Sequence, residues 1–493
     1  MELFMQSFSN FIDIGTVSIL FLGCVIGISI GSLPGLTATM GVALILPITF
    51  GMDPLPGILL LIGVYFGSIY GGCLAAILLN TPGTPSSAAT AIAGYKLTQR
   101  GLAYKALTVS TLSSGIGGII SVIILLIIAP QLARFALNFS AQEIFALTVF
   151  GLAIITSVAG KSLVKGLIVA AVGLIISTVG VDPINGYPRF TFGNYNLTGG
   201  INFIPVMIGV FAAAQAFHSL EGSLKNQSVK KVEVVKLKWK EFKTVIQTIL
   251  QSAGIGTGIG MIPGAGGDIA CFVAYNVASM TAKDKKEFEE GNINGVAAPE
   301  SANNATTGGA MIPLLTLGIP GDAVTAVLLG ALMVQGLQPG PQLYQQNGEL
   351  VYSLFIGMFL ANILIIVLGL LGIRLFVKVL EIPKVILAPI ILTLCAVGSY
   401  ALNNSIFDVY VMLIAGIIGY LMIRYEFSAS PLVLALILGP MMESNLRRTL
   451  SLSNGDFMTV FTRPISATLL ILTVLTLFAP LILKKINRGK KNS

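Results

Sequence analysis

Apolar residues occupy this chain in long blocks separated by short polar punctuation. They run near 12–33, 37–52, 55–79, 101–136, 141–159, 162–181, 200–220, 243–263, 265–281, 306–317, 321–336, 350–380, 383–400, 404–424, 429–442 and 463–484. Blocks such as Ile116–Ala129, Val164–Val181, Val351–Val379 and Pro464–Leu483 lie within stretches that reach the ~20 apolar residues of a spanning helix. Shorter blocks read as half-helices or re-entrant pieces. The pattern predicts an all-α polytopic membrane protein with about twelve transmembrane helices.

Glycine and proline interrupt these blocks at two related sets of positions. The first set is Gly31-Ser32-Leu33-Pro34-Gly35, Tyr70-Gly71-Gly72 and Asn80-Thr81-Pro82-Gly83-Thr84-Pro85. The second is Gly260-Met261-Ile262-Pro263-Gly264-Ala265-Gly266-Gly267, Thr307-Gly308-Gly309 and Gly318-Ile319-Pro320-Gly321-Asp322. Pro34 and Pro263 stand 229 residues apart, Gly71 and Gly308 237, and Pro82 and Pro320 238. The growth in offset matches a charged insert at Lys283–Glu290 in the second half. Two related repeats are therefore expected, 1–220 and 244–493, joined by a hydrophilic linker at 221–243. An inverted relationship follows if the linker is cytoplasmic and the first repeat begins outside.

Charge sharpens this picture. Only 10% of the 493 residues are charged and mean hydropathy is +0.89, too little polarity to cover a soluble globule. The net charge of +8 is concentrated beside apolar spans. Seven lysines lie between Glu221 and Lys243, and Lys484, Lys485, Arg488, Lys490 and Lys491 form a basic tail. This is the pattern of cytoplasmic topology determinants, and it excludes nucleic acid as the expected partner. A basic tail of this kind also attracts anionic lipid. Cys24, Cys73, Cys271 and Cys395 are scattered singly and read as core residues. The start of the chain lacks the basic region of a cleaved signal peptide, so its first apolar segment is expected to remain as a helix. The lone histidine, His218, ends a span beside the linker and receives no role.

Broken helices at membrane depth are tolerated where they line a cavity, and a matched pair marks a transporter's substrate site. A short helix over Ser86–Tyr95 would turn its N-terminal amides toward a carboxylate, and Gly318, Pro320 and Gly321 offer the same from the other half. The substrate-site candidates are Ser32, Pro34, Gly35, Asn80, Thr81, Pro82, Gly83, Thr84, Pro263, Gly264, Gly318, Pro320, Gly321 and Asp322. Asp322 also fits a helix N-cap. The polar run Ala297–Thr307, which precedes a Gly308-Gly309 break and reads alternatively as a polar loop with helix caps, supplies Glu300, Ser301, Asn303 and Asn304. With Asp268, a carboxylate between apolar segments, these are the candidates for a coupled cation, because sodium takes hard oxygen ligands.

The stretches Gly31–Pro47, Tyr70–Gly94, Gly260–Gly267, Ala297–Asn304 and Gly308–Pro341 resemble the large membrane subunit of the tripartite tricarboxylate transporters. The resemblance implies uptake of a carboxylate, with citrate as type substrate, across a bacterial inner membrane. It implies an ion gradient as driving force, sodium or else the proton, and no cofactor. It also implies two partners, a small membrane subunit and a periplasmic substrate-binding protein. Asp322 departs from the small neutral polar residue expected there.

Other function classes leave weaker marks. Ala265-Gly266-Gly267-Asp268 has alanine where an aspartyl intramembrane protease has the first glycine, and neither an HExxH nor a P-loop motif occurs. A passive anion channel would also use broken helices, but duplicated half-helix sites suit alternating access.

Overall fold

The computed structural model describes residues 7, 11, 13–158, 162–182, 185–221, 235–282, 284–380 and 384–491. Most of the basic linker (222–234) and Lys283 of the charged insert lie outside the described residues. The described chain is almost entirely helical, with one two-stranded antiparallel hairpin.

In the first half, α1 spans Ile14–Ser32, α2 Ala38–Ile45, α3 Pro54–Leu79, α4 Ala88–Gln99, α5 Ala103–Ala136, α6 Ala141–Val158 and α7 Leu163–Ser177. The hairpin β1 (Gly180–Val181) and β2 (Pro188–Arg189) follows, then α8, Phe203–Glu221, which carries a π-helical turn at Ile208–Ala213. The second half holds α9 (Trp239–Gly260), α10 (Gly266–Thr281), α11 (Lys285–Gly291), α12 (Asn294–Leu317), α13 (Ala323–Val334), α14 (Pro341–Gln346) and α15 (Gly348–Val379). It closes with α16 (Lys384–Asn403), α17 (Ile406–Arg424), α18 (Ser430–Leu452), α19 (Thr459–Thr462) and α20 (Pro464–Lys491). Among the described residues six helices are long and apolar enough to cross a membrane: α1, α3, α5, α8, α15 through Ile373, and α17. Six shorter apolar helices accompany them.

Local chemistry sets the ends. Asp13 caps α1, its Oδ2 accepting from Thr16 N at 3.1 Å. That helix stops at Leu33, which turns extended (ψ 117°) because Pro34 follows. The Thr37 hydroxyl caps α2, accepting from Met40 N at 3.2 Å. The α3 helix ends on Asn80 in the left-handed conformation (φ 55°), and α12 ends on Gly318 (φ 70°).

Small residues bring the central helices into backbone contact. A Cβ on Gly27 of α1 would lie 2.5 Å from Val64 O of α3, and one on Gly67 would lie 2.6 Å from Cys24 O. The α9–α12 pair is built alike: a Cβ on Gly260 would lie 2.7 Å from Thr306 O, and one on Gly309 2.5 Å from Thr257 O. These contacts pair Gly71, beside Ile28, with Gly309, beside Thr257, 238 residues on. Sequence alone paired Gly71 with Gly308; the packing shifts that register by one, to the offset of Pro82 and Pro320.

Two expected breaks are absent. Gly71-Gly72 lies inside α3, and α12 runs unbroken through Pro299, Gly308, Gly309 and Pro313. The polar run Ala297–Thr307 is thus buried helix interior, against the alternative of a polar loop. Close packing of α5, α9 and α10 around α12 holds residues that are poor helix formers in isolation. The glycines serve approach here instead of breaking: Gly117 of α5 abuts the Ser301 backbone and Gly308 abuts Ser121.

The helical run α8 fixes two ends of the molecule. Its C-terminal end leads to the linker, where Glu221 approaches Arg424 (3.9 Å) and bonds Tyr420, and where Lys165 Nζ donates to Tyr425 O (2.7 Å). Its N-terminal end follows the β1–β2 hairpin, which is tied to α18 through Arg189 and Glu443.

Candidate functional site

Three backbone breaks meet between α3, α10 and α12. After Asn80 the chain passes through Thr81-Pro82-Gly83-Thr84 into a 3-10 turn, Pro85–Ser87, before α4 begins at Ala88. Gly83 N donates to Gly72 O (3.2 Å), and a side chain at Gly83 would strike the Gly31 carbonyl, so only glycine fits. Thr84 is buried, its Oγ1 3.1 Å from Ser86 Oγ, while Ser87 Oγ donates to Thr84 O at 2.8 Å. Asn80 and Pro82 are exposed.

The second break, Gly318-Ile319-Pro320-Gly321, is buried and leads to Asp322 at the N-cap of α13. Asp322 Oδ1 accepts from Thr325 N (2.8 Å) and Thr325 Oγ1 (2.7 Å), and its Oδ2 accepts from the Tyr65 hydroxyl of α3 (2.7 Å). This carboxylate therefore caps one helix and pins it to another.

Pro263-Gly264 supplies the third break. Gly264 (φ 83°) donates its N–H to Gly321 O at 2.7 Å. A Cβ on Gly267 would lie 2.8 Å from Asn303 Oδ1 and 3.5 Å from Ser86 Cβ, and one on Gly266 3.9 Å from Asp322 Cβ. The start of α10 thus touches both Pro-Gly loops. No side chain caps it, which leaves its first-turn amides open. Asp268 sits in that first turn and is exposed in the chain.

Pro34-Gly35 is engaged elsewhere. Gly35 O accepts from Gln215 Nε2 of α8 (2.6 Å), and Pro34 lines a small cleft with Ser219, Leu387 and Ile391. Ser32 Oγ is buried and donates to its own helix at Ser29 O (2.7 Å). The structure joins this element to the others through the Gly31–Gly83 contact.

Beside the junction, α12 carries a buried polar row. Glu300 is fully buried; its Oε1 accepts from Thr90 Oγ1 of α4 (2.5 Å) and its Oε2 from Ser114 Oγ of α5 (2.9 Å). Ser301 Oγ donates to Ile249 O (2.8 Å), which turns it from the row. Asn303 Nδ2 reaches Ile69 O at 3.5 Å, while Asn303 Oδ1 and both polar atoms of Asn304 are buried without a hydrogen-bond partner. Buried amide groups are ordinarily satisfied, so these oxygens beside a carboxylate fit a hard cation's donor set. Sequence reasoning missed Ser86, Thr90, Ser114 and Tyr65. Ser86 was legible as a small polar residue in the turn after a Pro-Gly break; the others lie within helices with no local signal.

The profile of the tripartite tricarboxylate transporter TctA family matches residues 17–434. An Agrobacterium vitis protein described as "Uncharacterized 52.8 kDa protein in TAR-I ttuC' 3'region" is 42% identical over 451 residues, 91% of this chain and 90% of its own length. A second from that organism, "Uncharacterized protein in TAR-II ttuC' 3'region", is 42% identical over 215 residues, 44% of this chain and 89% of its own. No solved structure matches. With most of its length covered by the family profile, the chain belongs to the tripartite tricarboxylate transporter TctA family.

Proposed function

We propose that this chain is the large permease subunit of a binding-protein-dependent system that takes up tricarboxylates or related carboxylates across the bacterial inner membrane, driven by a cation gradient, sodium first. It works with a small membrane subunit and a periplasmic substrate-binding protein, and the linker and basic tail face the cytoplasm. The two halves act as related, inverted repeats.

The observation that carries this reading is the meeting of the Pro263-Gly264, Pro320-Gly321 and Pro82-Gly83 breaks at the α10 N-terminus. Uncapped amides and a positive dipole end favour an anion there, with Asn80, Thr81 and Thr84 as added donors. Asp322 already satisfies the first-turn amide of α13, so it is assigned to shaping the site and not to substrate. Glu300, Asn303 and Asn304 supply the oxygens for the coupled cation, with Asp268 at the site's edge.

The test is labelled citrate uptake into proteoliposomes with an imposed sodium gradient, both partner proteins present, and di- and tricarboxylates as competitors. Sodium-dependent accumulation that requires the binding protein is the expected result. Downhill flux indifferent to the gradient would mean a channel, and no uptake or competition by any carboxylate would end the assignment.

A further inference from the structure

At the end opposite the linker, two arginines share two acids, Glu443 and Asp182, whose Oδ2 lies 3.5 Å from Arg189 Nη1 and 2.9 Å from Arg447 Nη2. Arg189 of β2 donates from Nη1 to Glu443 Oε1 at 2.7 Å, and Arg447 Nη2 lies 2.6 Å from the same oxygen. Arg447 also donates to Asp182 from Nη1 and Nη2, at 3.2 and 2.9 Å. The two acids differ in standing. Asp182 is buried and accepts from Asn185 N (3.0 Å), so it belongs to the hairpin. Glu443 is partly exposed, and its partners among the described residues are the two guanidiniums. Beside it opens a cleft of about 190 Å³ lined by Ser177, Arg189, Glu443, Ser444 and Arg447 over an apolar floor. Arg189 Nε is buried there with no hydrogen-bond partner.

We propose that this cleft is a second binding site for a carboxylate, in which the ligand replaces Glu443 between Arg189 and Arg447. The inference rests on the carboxylate-transport reading. Guanidinium forks bind planar carboxylates with two parallel hydrogen bonds, and Glu443 already marks where that group sits. The Arg189 Nε–H adds a further donor for the ligand, and the Ser177 and Ser444 hydroxyls, which donate to Leu174 O and Met441 O, can accept from a ligand hydroxyl. Because Glu443 is an internal competitor, the ligand binds weakly and leaves readily. Such a site is suited to holding substrate on its way to the central junction.

Equilibrium binding of labelled citrate to the purified full chain at low ionic strength tests this. Glu443→Gln, which keeps the shape but removes the competing charge, should tighten binding at one class of site about tenfold. Arg189→Lys in that background, which keeps charge but loses the fork, should abolish the gain. Should E443Q not purify as a folded protein, R189K alone decides, because it should remove the weaker class of site from the wild-type chain. Binding unchanged in E443Q, a gain that survives R189K, or sulfate competing as well as citrate would each overturn the proposal. If the full assembly takes up carboxylates while E443Q binds as wild type does, only this site fails. If no carboxylate is taken up at all, the transport reading fails with it.

Discussion

At the residue scale, the hydrogen bond between Tyr65 and Asp322 shows how one side chain can be read two ways. In sequence, an acid after Pro-Gly invites a ligand role. In space it is spent on a cap and on a phenol from the other half of the chain. Hydrogen bonds to charged groups contribute about 1.5–3 kcal/mol, and losing this one leaves a partly buried carboxylate short of a donor. Tyr65→Phe should therefore lower thermal stability in detergent by that order while leaving the substrate ranking in competition assays unchanged. A shift in that ranking would return Asp322 to the substrate. Asn80 allows a cleaner probe of the site itself. Its backbone is left-handed and its side chain exposed, so Asn80→Gly removes the amide without straining the turn. Uptake should fall about tenfold, the worth of roughly one good hydrogen bond, at undiminished protein level. Wild-type uptake kinetics would take Asn80 out of the site.

At the element scale, glycine does two different jobs that sequence cannot tell apart. Gly27 presses α1 onto α3 backbone to backbone, whereas Gly254 and Gly258 of α9 have nothing within 4 Å of an added Cβ. Overpacking a tight contact costs about 1–3 kcal/mol or more, whereas Ala for Gly in an open helix position gains roughly 0.5–1 kcal/mol. Gly27→Leu should accordingly cut folded yield and melting temperature, and Gly254→Ala should hold or raise both, measured by fluorescence size-exclusion after heating. Equal effects at the two positions would count against the packing described. The same distinction limits what the sequence made legible. Pro-Gly breaks after Leu33, Asn80 and Gly318 were readable, because proline and left-handed glycine or asparagine act on their own backbone. The continuity of α12 through Pro299 and Gly308 was not, because it depends on the α5 and α9 helices packed around it. Thr90 and Ser114 were equally silent, since they acquire meaning only from Glu300, 210 and 186 residues away.

At the scale of the whole molecule, the proposal requires a definite sidedness. The α8 run holds 19 residues, about 28 Å at helical rise and close to the hydrocarbon thickness, so its two ends belong on opposite faces of a bilayer. One end carries the linker, with Lys238 and Lys240 exposed; the other carries the hairpin segment, where Tyr195 is 86% exposed. The four native cysteines are all buried and give little background to a polar reagent. Single cysteines at Tyr195 and Lys240 can then be labelled with a membrane-impermeant maleimide in intact cells. Tyr195→Cys should react from outside, and Lys240→Cys only after the membrane is opened, because lysine-rich segments are retained on the cytoplasmic side. The reverse pattern would place the linker outside and remove the cytoplasmic assignment of both basic segments. Reaction of both from outside would mean that α8 does not cross, and the inverted arrangement of the two halves would lose its geometric basis.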